Sequence, residues 1–117
     1  MIWVIVVLLI GFIIWRVMPI KGIESISTGN LKAVLKDKNK QFIDVRTPAE
    51  YKARHIKEFK NIPLNTLNNR IKELDQSKEI VVICQSGMRS SQAAKQLKKA
   101  GFSNILNVSG GMNAWHN

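Results

Sequence analysis

The chain has 117 residues, of which 18 are Lys or Arg and 8 are Asp or Glu, so its formal net charge is +10. This length suits one small domain with a short additional segment. A single cysteine excludes an internal disulfide, and the absence of a nucleic-acid-binding motif indicates that the positive surface attracts anionic lipid or small anions.

The first 20 residues are predicted to form a membrane-spanning helix that precedes a domain of residues 21–117. No charged side chain precedes Arg16, and about 20 apolar residues span a bilayer. A signal peptide would begin with basic residues, and a buried core helix would have a polar face, so both alternatives are weaker. Because the basic residues follow the helix, we expect a single-pass protein of the cell membrane, with its N-terminus outside and its larger domain in the cytoplasm.

Strand and helix patterns alternate after this segment, which predicts an α/β fold whose parallel sheet carries helices on both faces. The predicted strands, the first of them at an edge of the sheet, are residues 23–27, 41–45, 61–64, 80–83 and 104–108. The predicted helices begin at caps formed by Thr28, Thr47 and Asn65, at Ser90, and after Gly110.

Cys84 lies where the apolar run Ile80–Ile83 ends, before a short loop and the helix expected from Ser90. Ligands of open α/β sheets bind at the carboxyl ends of strands, and a helix N-terminus presents N–H groups and positive potential there. Together with Arg89, these groups would lower the pKa of the thiol and favour the nucleophilic thiolate. Gly87 would allow a tight turn. The alternative is that Cys84 is a small buried hydrophobe ending a core strand.

This loop belongs to a set of motifs that together resemble the rhodanese-like family of sulfurtransferases. The other matching segments, in the family's order and spacing, are Phe42–Tyr51, His55-Ile56 with Asn61–Leu64, Ala100–Phe102 and Val108–Trp115. The resemblance covers residues 23–117. Arg54 departs from it by replacing a glycine, and Glu58-Phe59 replaces a Gly-Ala pair, so the local turn there is expected to differ.

The resemblance implies two-step sulfur transfer through a persulfide on Cys84. The donor would be thiosulfate or a small persulfide, and the acceptor would be cyanide, a small thiol or a protein thiol. The residues implied to bind the sulfur and its donor are Gln85, Ser86, Gly87, Met88 and Arg89. Those expected to give structural support are Asp44, Arg46, Glu50 and His55. We expect no cofactor, metal ion or nucleic-acid partner.

Two other functions stay open at this point. One is a membrane-tethered interaction or sulfur-relay module with little turnover of its own. The other is a phosphatase or arsenate reductase on the same fold. The loop from Cys84 to Arg89 has six residues, one fewer than the cysteine loops of protein tyrosine phosphatases. A smaller ring of amides is expected to suit a sulfur atom better than a phosphoryl group.

Overall fold

The computed structural model describes residues 1–17 and 22–116, and its centre is a five-stranded sheet in which every pairing is parallel. The strands are β1 Ile23–Ile26, β2 Lys40–Asp44, β3 Lys60–Asn61, β4 Glu79–Ile83 and β5 Ile105–Val108. Their order across the sheet is β1-β5-β4-β2-β3, which places β4 at the centre and β1 at an edge. The predicted parallel α/β architecture is therefore confirmed.

Six α-helices occur in the described residues, and two 3₁₀ turns flank the fourth of them. The helices are α1 Ile2–Val17, α2 Thr28–Val34, α3 Pro48–Ala53, α4 Leu67–Arg70, α5 Met88–Lys99 and α6 Gly111–Ala114. The 3₁₀ turns are Leu64–Thr66 and Ile71–Glu73.

The central strand β4 contributes to a separate hydrophobic cluster on each face of the sheet, because successive side chains of a strand point to opposite faces. Ile80 and Val82 pack into a cluster with residues of α4 and α5. Val81 and Ile83 pack into a second cluster with residues of α2 and α6. All four side chains are fully buried. Helices thus cover both faces, as predicted.

The N-terminal segment forms helix α1, which ends at Val17 after 16 residues. At 1.5 Å per residue it is about 24 Å long, whereas the hydrocarbon core of a bilayer is about 30 Å thick. Within residues 1–17 and 22–116, no helix combines the length and apolarity needed to cross a membrane.

The predicted membrane-spanning helix of residues 1–20, and with it the predicted membrane contact, is therefore not supported. Residues 18–20 of that prediction lie outside the described residues. The orientation and cellular location expected from the basic residues stay predictions.

Helix α2 begins one residue earlier than the sequence suggested. Its N-cap is Ser27, whose hydroxyl accepts a hydrogen bond from the amide of Asn30 at 3.1 Å. Thr28, the predicted cap, instead donates its hydroxyl to the carbonyl of Ala114, also at 3.1 Å. Serine and threonine both suit an N-cap, so residue type alone did not show which of the two caps α2.

The segment between β3 and α4 also differs from its prediction. The strand expected over residues 61–64 is shorter, Lys60–Asn61, although the amides of Ile62 and Leu64 still donate to the carbonyls of Asp44 and Val45. The chain then enters the 3₁₀ turn Leu64–Thr66, so Asn65 lies inside that turn and is not the cap of α4.

Candidate active site

Cys84 directly follows β4, and its side chain is fully buried beneath the loop that leads into α5. The amide of Gly87 donates to the Cys84 Sγ at 2.9 Å, and the Ser90 Oγ lies 3.3 Å from the same sulfur. Gly87 is the N-cap of α5 and has a φ of 109°, in the left-handed region that favours glycine. The helix begins at Met88, two residues before the predicted start, so its first turn lies beside the sulfur.

Two opposing effects set the pKa of the Cys84 thiol. Burial raises the pKa, whereas the Ser90 hydroxyl and the backbone amides of Ser90, Gly87 and Ser86 lower it through hydrogen bonding. The hydrogen bonds together outweigh burial, so the pKa lies below its usual value. This environment favours a thiolate, which is the reactive form of cysteine.

The loop residues predicted to bind substrate differ in their contacts with this sulfur. Gly87 and Ser86 act on it through their amides. The Gln85 side chain accepts from Arg46 Nη1 at 3.1 Å and donates to Asn113 at 2.6 Å. Met88 is 75 % exposed and therefore lies on the outer rim of the loop.

Arg89, the last predicted binding residue, forms a two-pronged ion pair with Glu50. Its Nη1 and Nη2 lie 2.6 and 2.9 Å from the two carboxylate oxygens. The Arg89 guanidinium, helped by hydrogen bonds from Thr47, lowers the pKa of Glu50 to about 2. Glu50 also completes the predicted capping box of α3 with Thr47. The carboxylate expected only to support the structure thus contacts the arginine of the cysteine loop directly.

Asp44 and Arg46 form a buried ion pair at the end of β2, with Nη2 and Oδ2 2.8 Å apart. The same guanidinium donates to the carbonyls of Glu50 at 3.2 Å and Arg54 at 2.6 Å. A buried charge pair is tolerated when its remaining donors are also satisfied. This pair therefore joins β2, α3 and, through Gln85, the cysteine loop.

His55, the fourth residue expected to give support, is exposed just after α3. Its ring stacks on Tyr51 with centroids 3.9 Å apart, and its Nδ1 lies 2.7 Å from the Tyr51 carbonyl oxygen. In the part of the chain that the structure describes, no three His, Cys, Asp or Glu side chains are grouped to hold a metal ion.

Two residues of the site were not singled out from the sequence. The Ser90 Oγ contacts the Gly87 carbonyl at 3.1 Å and the Asn107 Oδ1 at 2.5 Å, in addition to the Cys84 sulfur. The sequence does contain a signal for each residue. Ser90 is a hydroxyl residue in the first turn after the loop, and Asn107 is a polar residue inside the otherwise apolar strand β5.

Helix α6 holds the cysteine loop from the other side. The amide of Met112 donates to the Cys84 carbonyl at 2.8 Å, and that of Asn113 donates to the Gln85 carbonyl at 3.0 Å. The approach is so close that a Cβ on Gly111 would overlap the carbonyl oxygen of Cys84. Glycine is required there for this contact between two backbones.

Comparisons with known proteins agree with this arrangement. The chain is 42% identical over 79 residues to the "Putative sulfur carrier protein YrkF" of Bacillus subtilis, an alignment covering 68% of this chain and 43% of that protein. It is 36% identical over 107 residues to "Thiosulfate sulfurtransferase 18" of Arabidopsis thaliana, covering 80% of this chain and 78% of that one. The crystal structure of a rhodanese-like domain protein from Staphylococcus aureus superimposes with a TM-score of 0.74 at 33% identity, covering 80% and 92% of the two chains.

The chain spans less than half of the YrkF protein, so that relative contains sequence with no counterpart here. Residues 27–117 match the family described as "Rhodanese-like domain", which is most of the chain. The fold, the position of Cys84 and the similarity to proteins named sulfur carrier and sulfurtransferase all agree with this family match. The chain is a member of the rhodanese-like domain family.

Proposed function

We propose that this protein is a sulfurtransferase that carries sulfane sulfur as a persulfide on Cys84. One observation carries the proposal: the sulfur accepts a hydrogen bond from the Gly87 amide at 2.9 Å, lies 3.3 Å from the Ser90 hydroxyl, and sits at the N-terminus of α5. These groups stabilise negative charge on one sulfur atom, which is what a nucleophilic thiol requires.

In the first step the Cys84 thiolate attacks the outer sulfur of a small donor such as thiosulfate. A new S–S bond forms on Cys84, the S–S bond of thiosulfate breaks, and sulfite leaves with the bonding electron pair. The charged Arg89 would attract the anionic donor to the loop. Hydrogen bonding to Glu50 raises the pKa of Arg89, and the nearby charge of Cys84 raises it further.

In the second step the thiolate of an acceptor attacks the outer sulfur of the persulfide. The acceptor gains that sulfur, and Cys84 leaves as the thiolate that began the cycle. The two displacements balance without an external oxidant or reductant. Since each step uses the same cysteine, the kinetics should be ping-pong.

Mass spectrometry of the intact chain after incubation with thiosulfate tests the proposal. The protein should gain the mass of one sulfur atom, and a small thiol or cyanide should remove it. The variant Cys84→Ser should gain nothing. If the unaltered chain gains no sulfur, or if the variant gains as much, the proposal is wrong.

A sulfur carrier that passes its persulfide to a protein thiol is a second candidate, favoured by the name of the YrkF relative. Both candidates predict loading of Cys84 with sulfur, and turnover distinguishes them. A sulfurtransferase should turn over many times with thiosulfate and a small acceptor. A carrier should load once and discharge only when a partner protein is added.

A further inference from the structure

A small pocket opens beside the cysteine loop. Its volume is about 230 Å³, and it is lined by Arg46, Glu50, Ala53, Arg54, Gln85 and Met112. A water molecule occupies about 30 Å³ of the liquid, so this space corresponds to about eight waters. It therefore suits a chain of a few atoms rather than a large ligand. We call it the side pocket.

The charges that line the side pocket differ in how they are neutralised. Arg46 pairs with Asp44, and Glu50 pairs with Arg89. The Arg54 guanidinium donates to the carbonyls of Trp115 at 2.7 Å and Met112 at 3.5 Å. Among the described residues, no carboxylate forms an ion pair with Arg54.

Arg54 thus supplies the excess positive charge of the side pocket. A planar guanidinium has five N–H donors and binds a carboxylate well, through charge-assisted hydrogen bonds. Ala53 and Met112 add carbon surface to the lining of the side pocket. A ligand that combines a short carbon chain with a carboxylate matches both features.

We propose that the side pocket binds the carboxylate arm of a low-molecular-weight thiol, and that Arg54 determines this specificity. The inference rests on the proposed function, in which such a thiol is the acceptor. Its sulfur must reach the outer sulfur of the Cys84 persulfide inside the loop, so its carbon chain must lie outside, and the side pocket adjoins the loop at Gln85. Thiosulfate has no carbon chain and needs no such space.

The transfer itself is the second displacement described above. The acceptor thiolate forms a bond to the outer sulfur, the bond between the two persulfide sulfurs breaks, and Cys84 retains the electron pair. Arg54 forms no covalent bond in this step. It acts as a substrate-binding residue that contacts the acceptor away from the reacting atoms.

The first test does not depend on sulfur transfer. Iodoacetate and iodoacetamide have nearly the same size, but only iodoacetate carries a carboxylate, so their rate ratio for alkylation of Cys84 reports attraction of a carboxylate to the site. Arg54→Gln should lower this ratio about three- to tenfold, as expected for loss of a partly exposed charge-assisted contact. Arg54→Lys should recover part of it.

Lys52→Gln is the matched control, because Lys52 is exposed on the same helix α3 and is not among the residues that line the side pocket. This variant loses the same charge and should leave the ratio unchanged. Equal ratios in the unaltered chain and Arg54→Gln, or equal decreases in both glutamine variants, would overturn the proposal. These outcomes are independent of whether Cys84 carries sulfur.

The second test uses the full reaction with thiosulfate as donor. The acceptors are 3-mercaptopropionate and its neutral amide, 3-mercaptopropionamide. Arg54→Gln should raise KM for the carboxylate acceptor several-fold, with little change in kcat, and should leave the amide unaffected. A parallel loss with both acceptors would mean that Arg54 only holds Met112 and Trp115 in place, and would also overturn the proposal.

Discussion

At the scale of single residues, the site depends on how one hydroxyl proton is shared. The Ser90 Oγ lies within hydrogen-bond distance of the Cys84 sulfur, the Gly87 carbonyl and the Asn107 side chain, but it has one proton to donate. A thiolate accepts hydrogen bonds and does not donate them. Ser90 therefore stabilises the thiolate to the extent that its proton points to the sulfur.

Replacing Ser90 with alanine should raise the pKa of Cys84, because one of the hydrogen bonds that lower it is lost while burial remains. A hydrogen bond to a charged group contributes about 1.5–3 kcal/mol, which corresponds to a pKa rise of about one to two units, so alkylation at neutral pH should slow about ten- to hundredfold. The rate of alkylation by iodoacetamide, measured from pH 5 to 10, gives the pKa directly.

Ser91→Ala makes the same chemical change one residue later and should leave that pH profile unchanged. An unchanged profile in Ser90→Ala would show that the backbone amides alone hold the thiolate.

Glu50 links stability to pH through its ion pair with Arg89. Its pKa is lowered from 4.5 to about 2 in the folded protein, so its stabilising contribution is complete above pH 4.5 and is lost as pH falls toward 2. In Glu50→Gln this part of the acid sensitivity should disappear, although glutamine retains the capping box of α3. Urea unfolding between pH 5 and 2.5 measures the difference.

Glu73 makes stability depend on pH in a similar way, because Arg70 and Lys60 lower its pKa to about 2. This contribution is the same in the unaltered chain and in Glu50→Gln. The comparison with Glu50→Gln therefore isolates one carboxylate. Glu58→Gln, at an exposed position, should behave like the unaltered chain. Equal acid sensitivity in Glu50→Gln and the unaltered chain would contradict the prediction.

At the scale of elements, the candidate site is held between the ends of two helices. Helix α5 begins at the end of the cysteine loop, and α6 donates the amides of Met112 and Asn113 to the carbonyls of Cys84 and Gln85. Gly111 makes the second contact possible, because its backbone lies against that of Cys84 with a φ of +57°.

Gly111→Ala should therefore destabilise the fold by about 2–4 kcal/mol, from backbone strain and displacement of the cysteine loop. Gly29→Ala is the control, since its new methyl group would meet nothing nearer than the Ser27 hydroxyl at 3.9 Å. Alanine favours helix over glycine, so that change should stabilise α2 by up to about 1 kcal/mol. Denaturant unfolding compares the two variants, and similar values for both would contradict this account of α6.

The elements that could be predicted from the sequence are those defined by local pattern. Apolar runs identified the strands, and the position of Cys84 after one of them located the candidate site. The contacts of Ser90 with Asn107, and of Arg89 with Glu50, join segments far apart in the chain, and local pattern does not specify such pairings. The cap of α2 was misplaced because Ser27 and Thr28 both suit a cap, and the cap of α4 was misplaced because Asn65 lies inside the 3₁₀ turn that precedes the helix.

At the scale of the whole molecule, helix α1 adds little to the packed domain. Large apolar side chains of residues 1–13 are exposed, from 43 % at Val6 to 100 % at Met1, so they bury little surface against the sheet. Strand β1 is different, because Ile23 packs against one hydrophobic cluster and Ile26 against the other.

A chain that begins at residue 21 should thus retain the stability of the full chain to within about 0.5 kcal/mol. A chain that begins at residue 28 also loses β1 and should lose about 2 kcal/mol or more, the value for burying one or two aliphatic side chains. Thermal and denaturant unfolding distinguish the two truncations. Equal stability of both would show that β1 contributes nothing.

The alternation along β4 has a further consequence for the chemistry. Cys84 lies two residues after Val82 and four after Ile80, so its side chain is on the same face of the sheet as theirs, toward the start of α5. Inserting one residue into this strand would exchange the two clusters and turn the thiol toward α2 and α6. Among sequence changes of this size, a single-codon insertion in β4 should be one of the least tolerated, even though it deletes no side chain.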